Sequence, residues 1–165
     1  MKAVNAIGHK IFSLPQLLAQ AASWRVTNKT ISFTNGCFDI LHEGHIASLS
    51  EAASEADYLV VGVNSDASTK RLKGSDRPIN HEHSRALLLA SLAIVDAVVI
   101  FEEDTPLELI TAIRPDVLVK GGDYTIEQIV GSKEVMANGG RVVINPIVQG
   151  FSTTGIIQQI KASFS

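Results

Sequence analysis

Apolar positions along the chain fall into short blocks of two kinds, and the two kinds alternate. Leu14, Leu17, Leu18, Ala21 and Trp24 recur at helical spacing, with Ser13 as a cap and Pro15 in the first turn. This predicts an opening amphipathic helix and a connector over residues 1–29. Short apolar runs at residues 30–34, 58–63, 97–101, 116–120 and 141–145 predict strands. Helical patterns lie between and after them, at residues 46–56, 84–93, beyond Thr105-Pro106, near 132–137 and at 154–162. Such alternation implies right-handed crossovers and a parallel sheet covered on both sides. The expected fold class is α/β, a five-stranded parallel sheet with helices on both faces.

Composition narrows the setting. At 165 residues and 45% hydrophobic the chain can bury one sizeable core, and no repeat, low-complexity run or linker marks a second domain, so one domain over 1–165 is expected. Cys37 is the single cysteine, which excludes an internal disulfide and leaves a cytoplasmic location as the default. No run approaches the about 18 apolar residues of a membrane span, and the first ten residues lack an apolar signal core, so no membrane association is expected. A net charge of -3 argues against broad nucleic-acid binding. Anionic substrates must then meet positive charge locally. Lys70, Arg71, Lys73, Arg77 and Arg85 supply it: five of the 14 basic residues fall between positions 70 and 85, with only Asp76 and Glu82 as acids. Each could belong to a solvated loop, but the stretch leaves the carboxyl end of the second strand, where open α/β sheets bind ligands.

The candidate chemistry sits after the first strand. Residues 34–45 read Thr-Asn-Gly-Cys-Phe-Asp-Ile-Leu-His-Glu-Gly-His. Gly36 permits a tight turn, and a helix starting near His42 aims unpaired N–H groups and its positive dipole end at whatever lies in front of it. His42 and His45, at i and i+3, share a helix face that Gly44 leaves unobstructed. The arrangement suits a phosphate flanked by two neutral donors. A dinucleotide site would need Gly-x-Gly-x-x-Gly, which is missing after the first strand. A protein-held metal would need a third ligand at a fixed spacing, and none is expected. Cys37 reads as a small residue packed near the ligand rather than a nucleophile, and Asp39 as a brace of the turn.

The HxGH element at residues 42–45 resembles the signature of the nucleotidyltransferase superfamily, and further blocks resemble its bacterial D-glycero-β-D-manno-heptose 1-phosphate adenylyltransferases. These are residues 62–74 with Arg77-Pro78, residues 101–106, Lys120-Gly121-Gly122-Asp123-Tyr124, residues 131–135 and Ser152-Thr153-Thr154. The resemblance covers about residues 30 to 160. It implies a Rossmann-like nucleotidyltransferase fold, ATP and a sugar 1-phosphate as substrates, Mg²⁺ carried by the triphosphate, a homodimer, and a separate sugar kinase upstream. His42, His45 and Lys73 become the expected catalytic residues, with Lys70 and Arg71 as neighbouring alternatives to Lys73. Gly36, Cys37, Phe38, Ser152, Thr153 and Thr154 are expected to join the two histidines at the nucleotide. Asp39, Asn64, Asp66, Lys70, Arg71, Arg85, Lys120, Gly121, Gly122 and Asp123 are expected around the second substrate, Arg85 in an active-site or bracing role. Serine and threonines before the last helix would otherwise be an ordinary cap. Glycerol-3-phosphate cytidylyltransferases carry an Arg-Thr pair where this chain has residues 146–151, Pro-Ile-Val-Gln-Gly-Phe, which argues against the CTP-using branch. Gly155 stands where heptose enzymes often have asparagine. A nucleotide-binding regulator without turnover is a third reading, disfavoured by the intact pair of histidines.

Overall fold

The computed structural model describes residues 6–146 and 150–164. Within them the chain forms six parallel strands, β1 (Ile11–Phe12), β2 (Ile31–Gly36), β3 (Tyr58–Asn64), β4 (Ala97–Phe101), β5 (Val117–Gly121) and β6 (Arg141–Asn145). The helices are α1 (Leu14–Val26), α2 (Glu43–Ser54), α3 (Asp66–Lys73), α4 (Glu82–Ala90), α5 (Leu107–Ile113), α6 (Ser132–Ala137) and α7 (Thr153–Ser163). The sheet order is β1-β4-β3-β2-β5-β6.

Side-chain alternation along the strands divides the core in two. Phe33, Val60, Ala97, Val99 and Leu118 face one side, where Leu17, Ala21 and Trp24 of α1, Leu109, Ile110 and Ile113 of α5 and Val135 of α6 cover them. Leu59, Val61, Val63, Val98, Val117 and Val119 face the other, beneath Leu49 and Ala52 of α2 and Ala86, Leu89 and Ala90 of α4. Trp24 also stacks on Tyr58, with ring centroids 4.2 Å apart. Strands buried on both faces need apolar residues at every position, which is why they read as continuous runs rather than as alternation.

Two elements depart from the expectation. The sheet has six strands, because Ile11 and Phe12 pair with Val98 and Val99 as a two-residue edge strand too short to leave a pattern. A helix, α3, occupies the basic stretch expected to be a linker. Its buried residues are Ser68 and Thr69, and its one large apolar side chain, Leu72, is exposed, so no apolar period exists to be seen. Ser65 caps it, its Oγ accepting from the Ser68 N–H at 3.1 Å.

The strand order fixes the position of the site. From β2 the chain builds outward through β3 and β4, then crosses back to place β5 on the other side of β2. The order reverses between β2 and β5, and a crevice opens at their carboxyl ends.

Candidate active site

Two adjoining cavities, about 670 and 230 Å³, fill that crevice and share Cys37, Phe38, His42, His45, Lys120 and Phe151 in their walls. The β2–α2 turn builds the shared wall. Phe38 takes a left-handed backbone, φ 49°, which lays its ring over Gly36, where a Cβ would approach it to 3.1 Å. His42 is the residue before α2, and its ring stacks on His45 with centroids 3.8 Å apart and 22° between planes. Phe38 closes the other side of His45 at 5.3 Å.

The electrostatics keep both imidazoles neutral. Burial lowers the His45 pKa to about 4, helped by the neighbouring His42 and opposed by the Ile40 carbonyl. Burial lowers that of His42 as well. The Nδ1 atoms of both rings are buried and have no hydrogen-bond partner in the protein. Buried polar atoms are paired in nearly all folded proteins, so two unpaired ring nitrogens side by side at the start of α2 set this wall apart from the rest of the core.

Gly44 lines the smaller cavity, and it has a second role. A Cβ there would lie 3.2 Å from the His42 ring and from Phe151 Cβ, so the glycine also makes room for the His42 ring and for Phe151 over the helix start.

A second shell of bonds fixes the turn. The buried Asp39 carboxylate accepts from Arg77 Nε at 2.5 Å and from the N–H groups of Ile79 and Asn80 at 2.8 and 2.9 Å. Burial alone would raise its pKa, but those hydrogen bonds outweigh burial and hold the carboxyl below its ordinary value. Arg85, fully buried, donates to the Asn80 and Cys37 carbonyls and to Asp66 Oδ1, the last at 2.9 Å. The Asp66 carboxylate also faces His81 Nδ1 at 3.2 Å, and the Asp66 backbone N–H donates to the Glu82 carboxylate at 2.7 Å. The loop between, with a cis Arg77–Pro78 bond, is thereby joined to the phosphate turn.

The sequence candidates separate accordingly. Gly36, Cys37, Phe38, Asp39, His42, His45, Asn64, Lys73, Lys120 and Ser152 to Thr154 line the larger cavity, and Gly121 the smaller. Lys70, Arg71, Asp66, Arg85, Gly122 and Asp123 line neither. Of the three neighbouring cations, Lys73 reaches the cavity, while Arg71 pairs with Asp104 at 2.6 Å and donates to the Glu102 carbonyl. Asp39 lines the wall with its carboxylate already engaged, and Asp66 and Arg85 brace the turn from behind. Gly122, with φ 135°, allows Tyr124 to fold back, since a Cβ would meet that ring at 2.6 Å. The Lys-Gly-Gly-Asp-Tyr block therefore delivers Lys120 and Tyr124 to the cavity rather than its central residues. Asp104, Thr105, Tyr124 and Gln128 also line it and were absent from the expected set, and Arg77, expected only as part of the local positive charge, lines it too. All but Gln128 lie in blocks that carry the family resemblance, which was the available signal.

Helix α7 closes the cavity from above. Ser152 caps it, Oγ accepting from the Gly155 N–H at 3.0 Å, and the Thr153 hydroxyl donates to the Ile40 carbonyl at 3.4 Å. A Cβ at Gly155 would stand 3.0 Å from Ser152 Oγ, so a larger residue there would press on the cap. The preceding residues 147–149 lie outside the described residues, as do 1–5 of the opening segment. Among the described residues no group of three or more His, Cys, Asp and Glu side chains gathers as a metal site, and no helix is long and apolar enough to cross a membrane.

A switch-point crevice with a stacked histidine pair, a lysine in its wall and a second helix start is the arrangement expected of a nucleotidyltransferase. The family model for cytidylyltransferase-like proteins matches residues 33–159, and the chain belongs to that family. Among curated relatives it is 56% identical over 157 residues to the bifunctional protein HldE of Bradyrhizobium diazoefficiens, covering 94% of this chain and 32% of that protein. It is 55% identical to HldE of Koribacter versatilis, covering 91% and 31%. The chain thus spans about a third of the length of these relatives. A lipopolysaccharide core biosynthesis protein from Thermoplasma volcanium superposes with a TM-score of 0.60 at 31% identity, covering 73% of this chain and 97% of that one. Pantoate-beta-alanine ligase from Francisella tularensis, solved with an ATP analogue, shares the fold alone at 17% identity, with a TM-score of 0.61 and coverage of 92% and 76%.

Proposed function

We propose that the chain transfers the adenylyl group of ATP to D-glycero-β-D-manno-heptose 1-phosphate, giving ADP-heptose and pyrophosphate for surface polysaccharide synthesis. The observation that carries the transfer chemistry is the His42–His45 stack, with two buried Nδ1 atoms unpaired beside the α2 N-terminus. The choice of heptose is supported by the HldE relatives, by the similarity to a lipopolysaccharide core biosynthesis protein and by the family blocks in the sequence.

In this reading a sugar phosphate oxygen attacks the α-phosphorus and pyrophosphate leaves in line. The attacking phosphate is already a competent nucleophile near neutral pH, so the protein supplies orientation and charge stabilisation. His42 and His45 donate to the α- and β-phosphates, Lys73 steadies the triphosphate or the sugar phosphate, and the first turns of α2 and α7 add their dipoles. The smaller cavity, with Leu49, Gly121 and Pro146 in its wall, takes the nucleoside, and the larger one takes the sugar phosphate beside Asn64, Lys73 and Thr105. Mg²⁺ fits only as an ion brought in by the triphosphate, since Asp39, the buried carboxylate of the wall, is consumed by Arg77 and two backbone N–H groups. When bound it neutralises phosphate charge. A sugar kinase activity makes the 1-phosphate, and the working form is a cytoplasmic homodimer.

The test is pyrophosphate release in Mg²⁺, with ATP, CTP and GTP each paired with heptose 1-phosphate and glycerol 3-phosphate. Turnover confined to ATP with the heptose, and reduced on the order of 10²- to 10³-fold by His42→Ala, is the expected result. Preference for CTP and glycerol 3-phosphate would transfer the chain to the other branch. Nucleotide binding without release under any pairing would make it a regulator.

A further inference from the structure

Lys120 is a half-buried cation with no carboxylate partner among the described residues. It ends the apolar part of β5, directly across the switch point from Asn35 and Cys37, and lies in the wall common to both cavities. Its Nζ donates to Asn35 Oδ1 at 3.4 Å, a long contact to a neutral group. No carboxylate pairs with it among the described residues. Burial lowers its pKa, the Cys37 side chain opposes that shift, and the nearby Lys73 adds to it. An ammonium partly withdrawn from water beside a second cation is costly to the free protein. Such a group is retained where an anion completes it.

Its place indicates which anion. The nucleoside side and the sugar side of the crevice meet only at the shared wall, so the α-phosphate and the attacking phosphate must come together there. We propose that Lys120 is a catalytic residue, its ammonium bridging a non-bridging α-phosphate oxygen and the attacking phosphate. In the step itself, a lone pair of the sugar phosphate oxygen forms the new O–P bond. The bond from the α-phosphorus to its bridging oxygen breaks, and that electron pair leaves with pyrophosphate. Lys120 keeps its protons throughout. It draws two like-charged phosphates together and stabilises the charge that gathers between them. The assignment rests on the nucleotidyl-transfer reading of this site but not on the identity of the sugar.

Lys120→Met keeps the length of the side chain and removes the charge, while Lys120→Arg keeps the charge and changes its shape. Two measurements on the full chain are needed: pyrophosphate-release kinetics, and thermal unfolding with and without Mg·ATP. The Met variant is expected to lose on the order of 10²- to 10³-fold in kcat. Its Tm without ligand should equal or exceed that of the parent, because a partly buried charge with no carboxylate partner is gone, and ATP should raise that Tm less than it raises the parent's. The Arg variant should retain more activity than the Met variant. A kcat within about threefold of the parent overturns the proposal, as does a lowered Tm with a full ATP-induced rise, which would mark a structural lysine. If no sugar phosphate drives release by the parent enzyme, the substrate reading fails and the thermal arm still decides: a full ATP-induced rise in the Met variant overturns the assignment, and a diminished rise supports it.

Discussion

Two cations, one wholly buried and one half-buried, stand on opposite sides of the β2–α2 turn, and their surroundings could hardly differ more. Behind the turn, Arg85 is fully buried and makes bonds to two carbonyls and a carboxylate. In front of it, Lys120 meets one amide oxygen at 3.4 Å and a second lysine nearby. The first arrangement is complete without a ligand and the second is not. Burial alone therefore says little about role. What separates scaffold from site is whether the protein satisfies the buried charge by itself, and the same criterion separates engaged Asp39 from the orphaned nitrogens of His42 and His45.

The sharpest way to break this comparison is to truncate the satisfied cation. Arg85→Met would leave the Cys37 and Asn80 carbonyls and the Asp66 carboxylate without their donor. Loss of one partner from a buried charge network costs about 3–5 kcal/mol, and unfolding in urea should show a fall of that order. Lys120→Met should show none. If both variants lost stability alike, the distinction between braced and open charge would fail.

The histidine pair sharpens the contrast through pH. A folded-state pKa of about 4 against an ordinary 6.5 means that His45 resists its proton in the native protein. The unfolded chain takes that proton first as pH falls below 6.5, so stability linked to His45 is complete above 6.5 and is lost progressively toward about 4. Imidazole resonances followed by NMR should show His45 still neutral at pH 6 and half-protonated near 4. A midpoint near 6.5 would mean that the ring is solvated and that the unpaired Nδ1 has water within reach.

Much of this site was legible in the sequence, for identifiable reasons. Strand β2 carries Ile31 and Phe33 between small hydroxyl residues and ends at Gly36, and the two histidines follow at the start of α2, so the β2–α2 turn was legible from local signals, although His42 precedes the helix rather than lying on its face. Fully buried strands likewise reveal the sheet. The missing parts depend on tertiary partners. Helix α3 has no apolar stripe, because its inward residues are Ser68 and Thr69. Arg85 and Lys120 are both basic residues near strand or helix ends, and nothing in their own neighbourhood in sequence tells which one finds a carboxylate. Gly44 reads as open space until the His42 ring and Phe151 are seen to fill part of it.

The smallest effect concerns the basic helix α3. Arg71 and Lys73 are two residues apart, hence about 200° apart around a helix, and cannot face the same way. Lys73 lines the cavity, and Arg71 turns to Asp104 with both side chains about half exposed. An exposed pair of that kind contributes about 0–1 kcal/mol, so Arg71→Ala should change stability within that range and leave KM for both substrates near the parent value. In the proposed reading Lys73 bonds a substrate phosphate, so Lys73→Ala would remove a charge-assisted bond of about 1.5–3 kcal/mol and should raise KM for one substrate roughly tenfold or more. Steady-state kinetics of the two variants, run side by side, read the orientation of the helix directly. Equal effects would mean that α3 rotates or unwinds when phosphate binds, and the cavity wall on that side would then be shaped by the ligand rather than prepared for it.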